Sequence, residues 1–282
     1  NSPADAPISL DDKYSRDTGR IYLTGVQALV RLPLMQRRLD RAAGLNTAGF
    51  ISGYRGSPLG TYDRELWSAK RHLAQDDVVF QPGLNEDLAA TSVWGTQQIG
   101  LSSGATRDGV FAIWYAKSPG VDRSGDALKH ANAAGTAPFG GVLAIAGDDH
   151  ACKSASLPSQ SDYAFLDASI PVLHPANVAE VMRFGLIGWA MSRATGLWVG
   201  MKALADTMDS AATVELADVV PQIVQPAGLS TDVSIRWPDT PLEQERRLFD
   251  LRLPAAIAFG RANGLNRAIV DPGPQRRRLM IL

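Results

Sequence analysis

Apolar positions fall into short, almost unbroken runs, and segments with helical spacing separate these runs. Six apolar runs predict strands: 47–54, 78–80, 109–116, 140–149, 171–175 and 197–204. The intervening periodic segments predict helices: 24–44, 61–74, 85–102, 122–135 and 176–196. Strands that are apolar on both faces and alternate with helices indicate a parallel sheet covered on both sides. The sequence therefore predicts a doubly wound, mainly parallel α/β fold with right-handed crossovers.

The pattern changes at both ends of the chain. Residues 1–20 are polar and rich in Pro, Ser and Asp, and we expect an arm that lies over a partner surface. Residues 21–215 hold the α/β pattern, whereas 216–275 combine a Pro-rich, strand-like stretch with a helical segment. Residues 276–282 have the pattern of another buried strand, so we expect the start of a following domain there.

Composition argues against several classes of function. The net charge of -1 and the pI near 6.5 give no reason to expect nucleic acid or an anionic membrane as a partner. Cys152 is the single cysteine and there are four histidines, which leaves little for a metal or iron–sulfur site in this chain. With no signal peptide and no apolar run of about 18 residues, we expect a cytoplasmic protein.

Four polar, glycine-rich loops follow predicted strands, where open parallel sheets bind their ligands. These loops span 52–63, 81–90, 115–126 and 147–165. In the first loop, Gly53, Gly56 and Gly60 allow a close backbone approach to a ligand, and Ser57 offers a hydroxyl. An ordinary strand-to-helix turn is the alternative, because the loop lacks the spacing of a phosphate loop.

Glu86, in the second loop, has two explanations. It lies in the first turn of the predicted helix, where a carboxylate complements the helix dipole. However, Asp87 can serve the dipole equally well and Asn85 can cap the helix. Two acids and a cap exceed what a helix start requires, so Glu86 is a candidate for facing a ligand.

The third and fourth loops carry further polar candidates. Lys117 directly follows a buried strand, and its side chain is predicted either to contact a ligand or to be a solvated amine. Asp122 or Ser124 suits the cap of the next helix. Four titratable residues crowd the strand end that opens the fourth loop: Asp148, Asp149, His150 and Lys153. Ordered loops of this length are usually functional, with a mobile surface loop as the alternative.

Taken together, the four loops resemble those of indolepyruvate:ferredoxin oxidoreductases, members of the thiamine diphosphate-dependent 2-oxoacid:ferredoxin oxidoreductase superfamily. The similar stretches are GYRGSPLGTYD (53–63), NEDLAA (85–90), KSPGVDRSGD (117–126) and GDDHACKSASLPSQSDYAF (147–165), followed by IPVLHPAN (170–177). They come in family order within residues 20–205. No single stretch is specific, whereas the ordered set is.

The resemblance implies that residues 21–215 form the pyrimidine-binding domain for thiamine diphosphate. Glu86 then bonds the pyrimidine ring nitrogen and favours the tautomer that removes the thiazolium C2 proton. Other cofactor contacts carried over from the family motifs are Arg55, Gly56, Ser57, Pro58, Lys117 and Gly120. The residues expected near the substrate carboxylate are Ser57, His150 and Lys153.

The resemblance also implies an activity and partners. The implied activity is the oxidative decarboxylation of a 2-oxoacid, such as indolepyruvate, to an acyl-coenzyme A. The electrons pass to ferredoxin, and the reaction is of the kind used in amino acid catabolism. Magnesium, iron–sulfur clusters and the diphosphate-binding domain are expected farther along the chain or in a partner subunit. This chain alone should therefore be inactive, and a homodimer is expected. The alternatives are another thiamine diphosphate-dependent enzyme of 2-oxoacids and a non-catalytic α/β assembly domain.

Two further motifs favour structural roles. Gly147-Asp148-Asp149 precedes Asn177 at a spacing similar to the magnesium–diphosphate signature of thiamine enzymes, but the third residue is not glycine. Asn177 instead suits a helix cap. Cys152 lies beside Lys153, yet a lone cysteine is more often inert than nucleophilic. We expect no metal ligand and no nucleophile from these motifs.

Overall fold

The computed structural model describes residues 9–153 and 156–266, so the strand start expected at 276–282 lies outside the described residues. The strands are β1 Arg20–Thr24, β2 Ala48–Gly53, β3 Val78–Phe80, β4 Val110–Lys117, β5 Val142–Asp148, β6 Val172–Leu173, β7 Trp198–Leu204 and β8 Ala211–Glu215. The first helices are α1 Asp12–Ser15, α2 Gly25–Ala42, α3 Tyr62–Ser68, α4 Lys70–Gln75, α5 Glu86–Thr96, α6 Ser118–Arg123 and α7 Gly125–Ala134. The others are α8 Asp162–Asp167, α9 Val178–Thr195, α10 Ala205–Met208, α11 Leu216–Val219, α12 Pro241–Arg247 and α13 Leu253–Ala262, with a π-helical turn at Leu248–Arg252.

Six strands form one parallel sheet in the order β3-β2-β4-β5-β7-β6. The chain passes from β2 to β3 on one side and then crosses back to β4 on the other side, so the winding direction reverses at β2. Helices cover both faces. The predicted fold class, a doubly wound α/β sandwich with a parallel sheet, is confirmed.

Both faces of the sheet are buried, which explains the unbroken apolar runs. Along β5, Leu143 and Ile145 pack into the layer that contains α2 and α9, whereas Ala144 and Ala146 face the layer of α5 to α8. In the first layer α2 and α9 pack so closely that a Cβ at Gly185 would lie 2.2 Å from Leu32 Cδ2. A polar side chain therefore reaches solvent or a ligand only beyond the ends of these strands.

Several elements differ from the sequence prediction. The helix predicted over 61–74 is broken at Ala69, and the helix predicted over 122–135 becomes α6 and α7, which meet at Ser124. A second sheet, in which β1 and β8 pair antiparallel, was not predicted. Residues at opposite ends of the domain form this pair, and their burial alternates over only five residues, so neither segment has a strong pattern alone.

The flanking segments were predicted as an arm over a partner surface and a Pro-rich, strand-like stretch, and only the second differs from expectation. In the arm, Arg31 of α2 donates to the carbonyl oxygens of Lys13 and Arg16 at 2.7 and 2.5 Å, so residues 9–19 pack on their own chain. The Pro-rich stretch 220–240 contains no strand in the described structure. Proline cannot donate to a strand ladder, which disfavours a strand despite the Val and Ile positions.

A buried arginine fixes the Pro-rich stretch and the last helices to the sheet domain. Arg252 is fully buried and donates to the carbonyl oxygens of Val233, Ala133 and Ala134 at 2.8, 2.6 and 3.1 Å. The last two carbonyls end α7 and would otherwise lack an intrahelical partner. One guanidinium thus closes a helix end and holds the segment after β8.

Candidate functional site

The carboxyl ends of β2 and β4 lie side by side, with Gly53 opposite Tyr115 in the ladder. This is the edge at which the winding direction of the sheet reverses, and open α/β sheets bind ligands at such a switch point. Three of the four polar, glycine-rich loops meet there. Gly83 donates its backbone N–H to Gly53 at 2.9 Å, and Tyr54 donates to the carbonyl of Tyr115 at 3.0 Å.

The start of α5 places Glu86 at this switch point. Asn85 caps the helix by accepting a hydrogen bond from the N–H of Leu88 at 2.9 Å, as predicted. The indole of Trp114 donates to the carbonyl of Glu86 at 3.0 Å, which fixes the first turn against β4. Glu86 itself is half-buried.

The side chain of Glu86 lies on Gly120 of α6. A Cβ at residue 120 would lie 2.6 Å from both Cγ and Oε1 of Glu86, so only glycine leaves room for the carboxylate in this position. Asp87, in the same turn, pairs with Arg123 at 3.3 Å. Asn85 and Asp87 therefore stabilise the start of α5. The side chain of Glu86 lies between α5 and α6, beside the switch point at the ends of β2 and β4.

The loop after β2 is packed against the ends of β4 and β5. A Cβ at Gly56 would lie 2.7 Å from Cβ of Lys117, and a Cβ at Gly147 would lie 3.1 Å from Cδ of Pro58. Ser57 lies between these two contacts. Side chains alternate along β4, so Lys117 shares a face with Tyr115, whereas Glu86 lies over α6 on the other face.

Two buried hydroxyls in this region were not recognised as candidates for ligand binding. Ser118 and Ser124 are fully buried, and neither Oγ has a hydrogen-bond partner among the described residues. Ser124 is the first residue before α7, but its side chain makes no capping bond. An unpaired buried hydroxyl is unfavourable, so a polar ligand at Ser118 would remove that penalty. The one sequence signal for Ser118 was its position directly after Lys117.

A second polar cluster lies at the carboxyl ends of β5, β6 and β7. Lys202 is buried and pairs with Asp148 at 2.7 Å and with Asp162. Burial acts to lower the pKa of Lys202, but the hydrogen bonds and charges of both carboxylates outweigh it and raise the pKa above the ordinary value. Ser161 donates its N–H to Asp148 Oδ2 at 3.1 Å. Sequence reasoning missed Lys202 because it lies inside an apolar strand.

His150 and Lys153, expected near the substrate, are exposed and lie beside this second cluster. Lys153 pairs with Asp206 at 3.7 Å. Burial, followed by the charge of Lys202 and a smaller contribution from His150, lowers the pKa of His174. Of the expected cofactor contacts, Gly120 lies on Glu86, Gly56 packs on Lys117, and Pro58 packs on Gly147 with Ser57 beside it, whereas Arg55 lines a cavity with Tyr54 and Asp63. His150 and Lys153 belong to the neighbouring cluster.

The residues of the magnesium-like motif make contacts within the fold, and the predicted cap at Asn177 is confirmed. Asn177 caps α9 by accepting from the N–H of Glu180 at 2.9 Å, and Asp148 pairs with Lys202. Among residues 9–153 and 156–266, no group of three His, Cys, Asp or Glu side chains is arranged to hold a metal ion. Within the same residues, no helix is both long and apolar enough to cross a membrane.

Comparison with known proteins supports the fold. No family model and no curated protein sequence matches this chain. Among solved structures, the chain is similar to the 2-oxoglutarate:ferredoxin oxidoreductase from Magnetococcus marinus, solved with 2-oxoglutarate, coenzyme A and succinyl-CoA bound. The TM-score is 0.59 at 16% sequence identity over 86% of this chain. The match covers 46% of the other chain, so this chain spans less than half of that protein.

Proposed function

We propose that this chain provides the pyrimidine-binding half of a thiamine diphosphate site in an enzyme that oxidatively decarboxylates 2-oxoacids and passes electrons to ferredoxin. The position of Glu86 carries this proposal. The carboxylate lies on Gly120 at the switch point, while Asn85 and Asp87 serve the helix start. An assembly domain would need no carboxylate in that place.

The residues present fit the pyrimidine ring. The carboxylate of Glu86 would accept a hydrogen bond from a ring nitrogen and hold a proton there, and the hydroxyl of Ser118, which has no partner among the described residues, would offer a second polar contact. Gly120 leaves room for the Glu86 side chain, and Gly56 leaves room for the side chain of Lys117. Ser57 and Lys117 are proposed to face the 2-oxoacid from the other side. The bound cofactor supplies the electron sink for decarboxylation.

Other parts of the site are assigned to regions beyond this chain. Magnesium, the diphosphate-binding domain and the redox centres are proposed, from the resemblance of the four loops, to lie farther along the chain or in a partner subunit. An aryl 2-oxoacid such as indolepyruvate as substrate, coenzyme A as acyl acceptor, a homodimer and a cytoplasmic location complete the proposal. They rest on the resemblance of the four loops, and the fold similarity to a 2-oxoglutarate:ferredoxin oxidoreductase supports the general reaction class.

The test is Glu86→Gln in the natural full-length protein. Glutamine keeps the shape of the side chain but cannot hold the ring proton in the same way. We expect the 2-oxoacid-dependent reduction of a one-electron dye, with thiamine diphosphate and magnesium present, to fall by roughly 100-fold or more. Dye reduction also distinguishes this enzyme class from non-oxidative thiamine enzymes.

Asp87→Asn is the matched control, because it removes a carboxylate from the same helix turn. Asp87 is expected to contribute only a surface ion pair with Arg123, so the rate should stay within about twofold of the unmodified protein. Equal rates for Glu86→Gln and Asp87→Asn would reduce Glu86 to a helix-end charge, and the thiamine assignment would be withdrawn.

A further inference from the structure

A cavity of about 640 Å³ lies on the other side of the loop that carries Ser57. It is formed by that loop, the exposed face of α3 and the segment after β3. Its principal lining residues are Tyr54, Arg55, Asp63, Arg64, Trp67 and Gly83. A volume of this order suits a small-molecule ligand. Among the lining residues the proposed function uses only Arg55.

Two guanidinium groups, Arg55 and Arg64, line the cavity together with one carboxylate, that of Asp63. Arg64 is exposed, and its one acid partner, Glu65, is 3.8 Å away. Arg55 is exposed and forms no ion pair with any residue in 9–153 or 156–266. Because guanidinium groups bind phosphate and carboxylate in a bidentate manner, this arrangement favours an anionic ligand.

Aromatic rings line the same cavity. Trp67 is 53% exposed, yet its ring is held by an edge-on contact with Phe80 at a centroid distance of 5.0 Å. Tyr54 is 39% exposed on the opposite loop. An exposed but fixed indole is unfavourable in water and provides a stacking surface for a flat ring.

One carboxylate in the cavity is already positioned. Asp63 is half-buried, and its Oδ1 accepts a hydrogen bond from the hydroxyl of Tyr115 at 2.7 Å. Its Oδ2 has no hydrogen-bond partner among the described residues. A fixed acceptor beside a stacking ring suits a flat group that bears an amino donor, and the guanidinium groups suit phosphates.

We propose that this cavity binds an adenine nucleotide. The base stacks on Trp67, its amino group donates to Asp63, and the phosphates pair with Arg64 and Arg55. A free nucleotide and the adenosine diphosphate half of a larger coenzyme share this chemistry. The inference does not rest on Glu86: it rests on Asp63, Arg64 and Trp67 of α3, and it shares only Arg55 with the contacts expected for thiamine diphosphate.

The test is calorimetric titration of ADP into the natural full-length protein. Saturable one-to-one binding is expected, and adenosine or pyrophosphate alone should bind at least about tenfold more weakly. Arg64→Glu and Trp67→Ala should each weaken ADP binding by about tenfold or more, whereas Trp67→Phe keeps a stacking ring and should stay within about threefold. Glu86→Gln should leave ADP binding unchanged.

Matched controls make the same chemical changes elsewhere. Arg246→Glu on α12 and Trp237→Ala alter an exposed arginine and an exposed tryptophan, and neither should change the affinity for ADP. Coenzyme A is titrated in parallel: tighter binding than ADP assigns the cavity to a coenzyme, and equal binding assigns it to a free nucleotide. Absence of saturable ADP binding, equal affinity for pyrophosphate, or unchanged affinity in both Arg64→Glu and Trp67→Ala would overturn the inference.

Discussion

At the scale of single residues, Gly120 determines where the carboxylate of Glu86 lies. Gly120→Ala would place a methyl group 2.6 Å from Glu86 Cγ and Oε1, so the carboxylate must move. If Glu86 has its proposed role, we expect dye reduction by the full-length protein to fall by about tenfold or more, because the carboxylate would be displaced from its position. The melting temperature should change little, since alanine is also the better helix former.

Gly125→Ala is the control for this prediction. Gly125 begins α7, five residues later, and a Cβ there would have no atom within 4 Å. The same intrinsic gain in helix propensity is therefore expected without displacement of Glu86. If Gly120→Ala and Gly125→Ala had equal activities, the contact between residues 86 and 120 would have no role in function.

The sequence could identify only those candidate residues that are marked by their immediate neighbours in the chain. Glu86 was recognisable because two acids and Asn85 occupy one helix turn. Three residues could not be recognised from the sequence, because each becomes a candidate only through its surroundings in the fold: Ser118, Lys202 and Asp162. Lys202 is an isolated charge in an apolar strand until the fold brings Asp148 and Asp162 to it.

At the scale of elements, Asp77 joins three segments at the amino end of the sheet. It lies in the turn between α4 and β3 and pairs with Arg37 of α2 at 2.9 Å and with Arg107 at 3.1 Å. Hydrogen bonds from Arg37 and then Arg107 hold the pKa of Asp77 below its ordinary value. A lowered pKa in the folded state stabilises the fold above pH 3.8, and this stability is lost as the pH falls through the folded-state pKa.

Asp77→Asn tests this ion-pair cluster. Asparagine tolerates the positive φ of 53° at this turn, so the change removes the charge without straining the backbone. We expect a loss of about 1 kcal/mol in the free energy of unfolding at pH 7, after allowance for partial exposure. Urea denaturation should show the difference from the unmodified protein shrinking below pH 3.8. A difference that stays constant from pH 7 to acid would exclude the charge as its cause.

At the scale of the whole molecule, Arg252 couples the last helices to the sheet domain. Arg252→Met would leave the carbonyl oxygens of Ala133, Ala134 and Val233 without their donor. We expect the free energy of unfolding to fall by about 3 kcal/mol. Limited proteolysis should then cut within 220–240 faster than in the unmodified protein.

Arg246→Met is the control for Arg252→Met. Arg246 lies on α12 and is exposed, so its loss should leave stability within about 0.5 kcal/mol and the cleavage pattern unchanged. Equal rates of cleavage in the two variants would show that Arg252 does not hold the Pro-rich stretch on the domain.

The sequence by itself determined the parallel sheet, its covering helices and the polar loops at the carboxyl ends of its strands, because burial on both faces forces continuous apolar runs and strand ends are where polar residues collect. It also determined the caps at Asn85 and Asn177, which are local hydrogen bonds. Tertiary structure alone decided the pairing of β1 with β8 and the separation of His150 and Lys153 from Glu86. It also decided the contact of Glu86 with Gly120. These features depend on residues distant in sequence, whose approach is set by packing of the whole domain rather than by any local pattern.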